Sequence, residues 1–316
     1  MFKEKVTVIG SGFVGSTIAY TLLCSNRFRE IVIIDVNRDK AEGDAMDLNH
    51  GASFVAPVKV VAGDYDAAEG SDIVIITAGA AQKEGETRIA LLQRNKAILQ
   101  DIMGKLMPRC TDKTIILVVS NPVDILTYMA QKISGLDPKR VIGSGTVLDT
   151  SRLKYLLSLQ TGVAPRNIHT YILGEHGDSE IAAFSITTVG GMSLSQFCDV
   201  CHKCPGADGL CEEDIYQQVK NAAYEIIRKK GATYYAIALA VERIVETMIG
   251  DEHAILTVSS LIDGIYGVND ICISLPSIVG ATGIQQVLPV DLSADEQERL
   301  RDSGLKMRSI LSELGF

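Results

Sequence analysis

The chain has 316 residues, 47% of them hydrophobic and 22% charged, with 30 Lys and Arg against 39 Asp and Glu for a net charge of −9. That length suits one large or two ordinary domains with a sizeable core. The acidic balance excludes a general nucleic-acid binder, which needs a basic face, and makes an anionic membrane surface a poor partner; a small anionic ligand stays compatible, because a local site can oppose the global sign.

The chain opens with MFKEKVTVIG, whose apolar run is too short and too early for a signal segment, and no run of about 18 apolar residues follows anywhere. The expectation is a cytoplasmic protein, with its seven cysteines reduced. KVTVIG predicts a short buried strand and FVGSTIAYTLLCSN a helix. EIVIID is a second strand, and RDKAEGDAMDLNHG a polar-faced helix closed by a glycine. VKVVAG and SDIVIITAG predict strands three and four. A long helix, RIALLQRNKAILQDIMGKLMPRC, ends near Pro108. KTIILVVSNP is strand five, and VDILTYMAQKISG a helix capped by Gly135. Continuous β-branched runs alternating with helices imply a parallel sheet covered on both faces.

After about residue 145 the rhythm changes. DTSRLKYLLSLQTG predicts a helix, IHTYIL a strand, and EIAAFSITTVGG a strand with polar alternation. Two helices follow at roughly 212–230 and 232–248, then a strand-rich stretch at roughly 254–280. A last helix starts at Ser293, where Ser-Ala-Asp-Glu has capping-box spacing. The expected architecture is α/β: a doubly wound Rossmann unit over 1–145 and an α+β unit over 146–316.

VIGSGFVGS places Gly10, Gly12 and Gly15 between a predicted strand and a predicted helix, the G-x-G-x-x-G spacing of a dinucleotide site. The first glycine permits the turn, the second lets a pyrophosphate approach the backbone, and the third lets helix and strand pack closely. Asp35 ends the second strand 20 residues after Gly15. An acid there accepts from the ribose hydroxyls and repels a 2′-phosphate, which selects NAD over NADP; Arg38 is the one dissenting feature. Asp149 and Arg152, three apart on a predicted helix, share a face, and a local ion pair would explain them as well as a site would. Arg88 follows a loop-like segment, Gly79 to Gly85, and Asn121 ends strand five at the sheet edge where ligands of open α/β folds bind. In LGEHGDS, His176 is expected on a turn just past a strand end, with Gly174 and Gly177 leaving room beside it.

GSGFVG, Asp35, TAGAAQKEGETR, SNPVD, LDTSR and GEHGDS occur in this order and spacing, and together they resemble the L-lactate/malate dehydrogenase family over essentially the whole chain. The resemblance implies that His176 is the acid–base group, Asp149 the carboxylate that orients it, Arg152 the anchor of the substrate carboxylate and Arg88 a loop arginine that polarises the carbonyl. It implies smaller substrate contacts at Asn121 and Thr233, and cofactor contacts at Gly10, Gly12, Phe13, Val14, Gly15, Asp35, Thr77, Ala78, Gly79, Asn121 and Ile237. Histidine suits proton transfer near neutral pH, and a guanidinium grips a carboxylate through two parallel bonds.

Within the family, lactate and malate enzymes differ at the position of Gln82, where malate enzymes carry arginine. A second carboxylate is costly to bury without a cation, so a neutral glutamine suits a monocarboxylate such as pyruvate. Branched 2-oxo acids are the alternative within the class, and an NADH-sensing module the alternative outside it. The resemblance also implies a homotetramer assembled through the helix faces at 38–50, 149–161 and 232–248. A fructose 1,6-bisphosphate site would use His169, with Lys154 standing where the family has arginine and supplying charge without a planar fork. FCDVCHKCPGADGLC gathers Cys198, Cys201, Cys204 and Cys211 around His202, but the spacing departs from an iron–sulfur run, and plain thiols are expected there rather than a metal.

Overall fold

The computed structural model describes residues 3–80, 85, 87–201 and 212–316. In the first half, strands β1 (Lys3–Ile9), β2 (Phe28–Ile34), β3 (Lys59–Ala62), β4 (Ile73–Ile76), β5 (Ile115–Val118) and β6 (Val141–Gly143) are interleaved with helices α1 (Phe13–Ser25), α2 (Arg38–His50), α3 (Arg88–Leu106) and α4 (Val123–Ser134). The six strands pair in parallel in the order β3-β2-β1-β4-β5-β6. This is the doubly wound order, which reverses between β1 and β4 and opens a crevice at the strand carboxyl ends.

The sequence explains the layering. β4 (IVII) and β5 (IILV) are buried along their whole length, and alternate residues enter opposite cores. Val74 and Ile76 pack with Val118 under α3 and α4, whereas Ile73 and Ile75 pack with Ile115 and Leu117 beneath α1. A strand buried on both faces has no polar side, which is why these runs read as continuously apolar. Gly135 ends α4 with φ of +66°, a left-handed cap that glycine adopts without strain. Gly51 after α2 has φ of −80°, so glycine's conformational freedom is not what stops that helix.

Helix α5 (Val147–Thr161) is followed by short strands: β7 (Ile168–His169), β8 (Ile172–Leu173), β9 (Ile181–Ala182), β10 (Thr188–Val189) and β11 (Met192–Ser193). The single strand expected over IHTYIL is therefore two. β7 pairs with β10 and β8 with β9, in separate sheets, and buried Thr170 between them bonds the Thr187 hydroxyl at 2.6 Å. The expected strand over EIAAFSITTVGG is likewise broken, by a 3-10 turn at Phe184–Ile186. Helices α6 (Leu194–Cys201), α7 (Glu212–Lys230) and α8 (Tyr235–Gly250) come next, then β12 (Ala254–Leu256), β13 (Ser259–Ile265), β14 (Val268–Ser274), β15 (Ser277–Gly280), β16 (Gly283–Val287) and α9 (Ala294–Glu313). Ser293 and Glu296 form the expected capping box at the start of α9.

The large sheet does not stop at β6. β13 joins it antiparallel and carries β14, giving eight strands. From the same half, α8 packs Val241, Ile244 and Val245 into the core beneath α1. A third core, under α5 and α7, holds Leu153, Leu157, Ile172 and Val219.

Candidate active site

Two clusters of residues face the crevice. The first lies where β1 turns into α1. Gly10 has φ of +102°, and a Cβ there would stand 2.7 Å from the Ala78 nitrogen; a Cβ on Gly15 would stand 1.8 Å from the Gly10 carbonyl oxygen. Strand and helix therefore meet at a distance only glycine allows. A Cβ on Gly12 would meet nothing within 4 Å, and no side chain caps α1. The first N–H groups of a helix have no intrahelical partner, so this end offers open donors beside open space.

Gly10, Gly12, Asp35, Thr77, Ala78 and Gly79 line one groove of about 800 Å³. The Thr77 hydroxyl donates to the Gly10 carbonyl (2.8 Å) and holds the turn against β4. Asp35 accepts from the backbone N–H of Ser11 (2.5 Å) and of Asn37 (2.7 Å). Each carboxylate oxygen has two acceptor sites, so capacity for a diol is left over. Arg38 lines the same groove and pairs with Glu42 (2.8 Å) one helical turn on, in an exposed ion pair. Val14 is half-buried against the sheet, and exposed Phe13 stacks on Tyr234 with ring centroids 5.4 Å apart. An open helix end, a glycine cradle and an acid with spare acceptor capacity fit a dinucleotide.

The second cluster centres on α5. Asp149 lies in its first turn, where the helix dipole favours an anion, and is 2% exposed. Its Oδ1 accepts from the Arg152 guanidinium at 2.6 Å, and its Oδ2 lies 2.5 Å from His176 Nδ1. The ion pair that alone would have explained Asp149 and Arg152 exists, and the same carboxylate also holds the histidine. His176 follows β8 and keeps 26% of its side chain accessible. Its backbone N–H donates to Asp124 Oδ2 at 2.7 Å. Gly174, expected to make room, instead permits close packing: with φ of +87°, it exchanges both backbone hydrogen bonds with Ser274 (2.9 Å), and a Cβ there would stand 2.9 Å from Ile181 Cδ1.

The electrostatics follow from this packing. Burial alone would lower the proton affinity of His176, but the charge and hydrogen bond of Asp149, with the charges of Asp124 and Glu180, lift its pKa to about 9. Asp149 is pushed up by burial and, more strongly in sum, held below the usual carboxylate range by His176 and Arg152. Burial raises Asp124 to about 6. It also raises Glu180 to about 8, helped by the nearby Asp149 charge. Asp149, His176 and Glu180 offer ligand atoms within 4.8 Å of one another, but Arg152 already supplies a cation to Asp149.

Arg152, Thr233 and Ile237 line a common cavity of about 680 Å³ between α5, α7 and α8. Asn121 is exposed at the end of β5, before a cis bond to Pro122. Gln82 and the side chain of Arg88, the first residue of α3, lie outside the described residues, as do His202, Cys204 and Cys211. Cys198 and Cys201 sit one turn apart on α6, half-buried, and the Cys201 thiol donates to the Cys198 carbonyl (3.8 Å). Lys154 is half-buried on α5, where burial lowers its pKa, and His169 is exposed on β7. Asp124, Glu180 and Tyr234 were not singled out in the sequence. Asp124 and Glu180 sit in or beside the motifs SNPVD and GEHGDS, but only their burial marks them.

The family model for the lactate/malate dehydrogenase NAD binding domain matches residues 4–143, and that for the lactate/malate dehydrogenase alpha/beta C-terminal domain matches residues 146–314. The chain is 54% identical over 311 residues to the L-lactate dehydrogenase of Acetivibrio thermocellus, covering 98% of this chain and 97% of that one. It is 54% identical over 313 residues to L-lactate dehydrogenase 1 of Clostridium acetobutylicum, covering 99% of each. Among solved structures, MGS-M5, a lactate dehydrogenase from a Medee basin deep-sea metagenome library, superimposes with a TM-score of 0.96 at 42% identity, covering 100% of both chains. The minor L-lactate dehydrogenase of Enterococcus mundtii, in its ligands-bound form, gives 0.93 at 41% identity, covering 98% of both. With the glycine cradle, the acid at the end of β2 and the carboxylate that joins His176 to Arg152, these matches lead to one assignment: the chain belongs to the lactate/malate dehydrogenase family.

Proposed function

We propose that this protein is an NAD-dependent L-lactate dehydrogenase of the cytoplasm, interconverting pyruvate and L-lactate. The observation that carries the reading is Asp149, one buried carboxylate bonded at once to a histidine and an arginine. It fixes the distance between a proton carrier and a carboxylate anchor. The remaining guanidinium donors of Arg152 hold the substrate carboxylate, which orients the ketone toward His176. Asp149 occupies Nδ1, so Nε2 carries the proton to the ketone oxygen and takes it back in the reverse direction. Asp149 stays ionised and stabilises the imidazolium. The residues around the glycine cradle and Asp35 would hold NADH, which would supply the hydride. Arg88 would add its charge at the developing alkoxide. Residues 1–145 would serve mainly the cofactor and 146–316 mainly the substrate.

Pyruvate is favoured over oxaloacetate by Gln82, which offers no charge to a second carboxylate. Apolar side chains exposed on the proposed assembly helices, Met46, Tyr155, Leu159, Tyr235 and Leu239, support a homotetramer. Lys154 and His169 would give only a weak response to fructose 1,6-bisphosphate, since lysine lacks the bidentate fork.

Asp149→Asn tests the reading directly. It keeps the shape and removes the charge, so kcat/KM for pyruvate is expected to fall by roughly 10²- to 10⁴-fold with NADH affinity intact. An unchanged rate would remove Asp149 from the mechanism.

A further inference from the structure

Glu180 is an ionisable side chain at this centre to which the proposed reaction gives no task. It lies four residues beyond His176, immediately before β9, and is 3% exposed. Its backbone carbonyl accepts the Tyr216 hydroxyl, which ties it to α7. Its Oε1 is buried and has no hydrogen-bond partner among the described residues. A carboxylate oxygen of Glu180, one of Asp149 and a ring nitrogen of His176 lie within 4.8 Å of one another. The charged groups that act on it are Asp149 and Arg152 from α5, His176 from the turn after β8, and Lys220 from α7.

A purely structural residue in such a place would be an amide or an apolar side chain of the same volume. A carboxyl with an orphaned oxygen contributes little packing that glutamine would not, and it pays desolvation when charged. What distinguishes it is its charge, and the nearest group whose ionisation matters to the reaction is His176. We propose that Glu180 is a fourth member of the proton-handling centre, a positioning residue that acts through His176 and not on the substrate. As a carboxylate it prolongs the life of the imidazolium into alkaline solution, and its influence on His176 is mutual. In alkaline solution, where Glu180 is a carboxylate, an anionic substrate reaching Arg152 adds a negative charge to the site and favours uptake of a proton by Glu180. Substrate entry thus does not leave three carboxylates crowded around one histidine. This rests on His176 being the proton carrier.

The test is the pH profile of kcat/KM for pyruvate reduction in the parent, Glu180→Gln and Glu180→Asp. The parent is expected to lose activity at alkaline pH as His176 deprotonates. Glu180→Gln should move that limb down by about one pH unit, and Glu180→Asp should hold it near the parental position, since one opposite charge at close range shifts a neighbour by about that much. A role in packing alone would lower the rate at every pH and leave the midpoint where it was; that result overturns the inference. Should Glu180→Gln fail to fold, the parent still decides. The ¹⁵N signals of the His176 ring should titrate in two steps, as strongly interacting sites do; a single step overturns the inference. A parental profile with no alkaline limb overturns the His176 assignment as well. An intact limb that Glu180→Gln leaves unmoved overturns only the role of Glu180.

Discussion

At the residue scale the molecule concentrates opposed charges in a dry place. Asp149 is 2% exposed, Glu180 3% and Asp124 1%, and isolated carboxylates at such depth are costly. Of the three, Asp149 is the one hydrogen-bonded to two charged side chains, and the one held below its usual range. The others rise, to about 6 for Asp124 and about 8 for Glu180, while His176 rises to about 9. These three groups bind protons more tightly in the folded than in the unfolded chain. Their contribution to stability is therefore present at low pH and declines as pH climbs through each folded value. Asp149 runs the other way: its contribution is present above its ordinary pKa and is lost as pH falls through its lowered folded value. Between about pH 6 and pH 9 the parent should lose more thermal stability than Glu180→Gln, which lacks one of the raised acids and relaxes His176. Equal slopes in thermal unfolding of the two would contradict the assignment.

At the element scale, what was legible depended on whether the determinant was local. The β1 turn was readable because its three glycines stand at fixed spacing in one short segment, where the Gly15 position lies against the Gly10 carbonyl. Gly15→Ala forces the helix off the strand. It should cost roughly 1–3 kcal/mol of stability by overpacking and weaken NADH binding, measurable by denaturant unfolding and by quenching of NADH fluorescence. A variant that binds NADH as the parent does would show that the close approach is dispensable. The capping box at Ser293 was legible for the same local reason. The break in IHTYIL was not, because Thr170 is set by its bond to Thr187 across the fold. The docking of β13 on the edge of the parallel sheet escaped too: a single antiparallel pair, Ser259 with Gly143, joins strands far apart in sequence. At the site, His176, Asp149 and Arg152 were legible as motifs, whereas Glu180 and Asp124 became notable only through burial, which no local pattern encodes.

At the scale of the whole molecule, a chain of net charge −9 must take up an anionic substrate. Local inversion would allow this: Arg152 and Lys230 line a cavity shared with Thr233 and Ile237, and Arg152 is the one bonded to Asp149. One guanidinium matches one carboxylate, which sets the substrate class that the proposed reading requires. The most direct measurement is NADH oxidation with pyruvate, oxaloacetate and a branched 2-oxo acid in parallel, for the parent and for Gln82→Arg. The expected result is that the parent turns over pyruvate at least about 100-fold better than oxaloacetate, the scale of about 3 kcal/mol for an unpaired buried charge, and that Gln82→Arg narrows or reverses the ratio. NADH binding without turnover of pyruvate would contradict the account and leave a cofactor-sensing protein in its place.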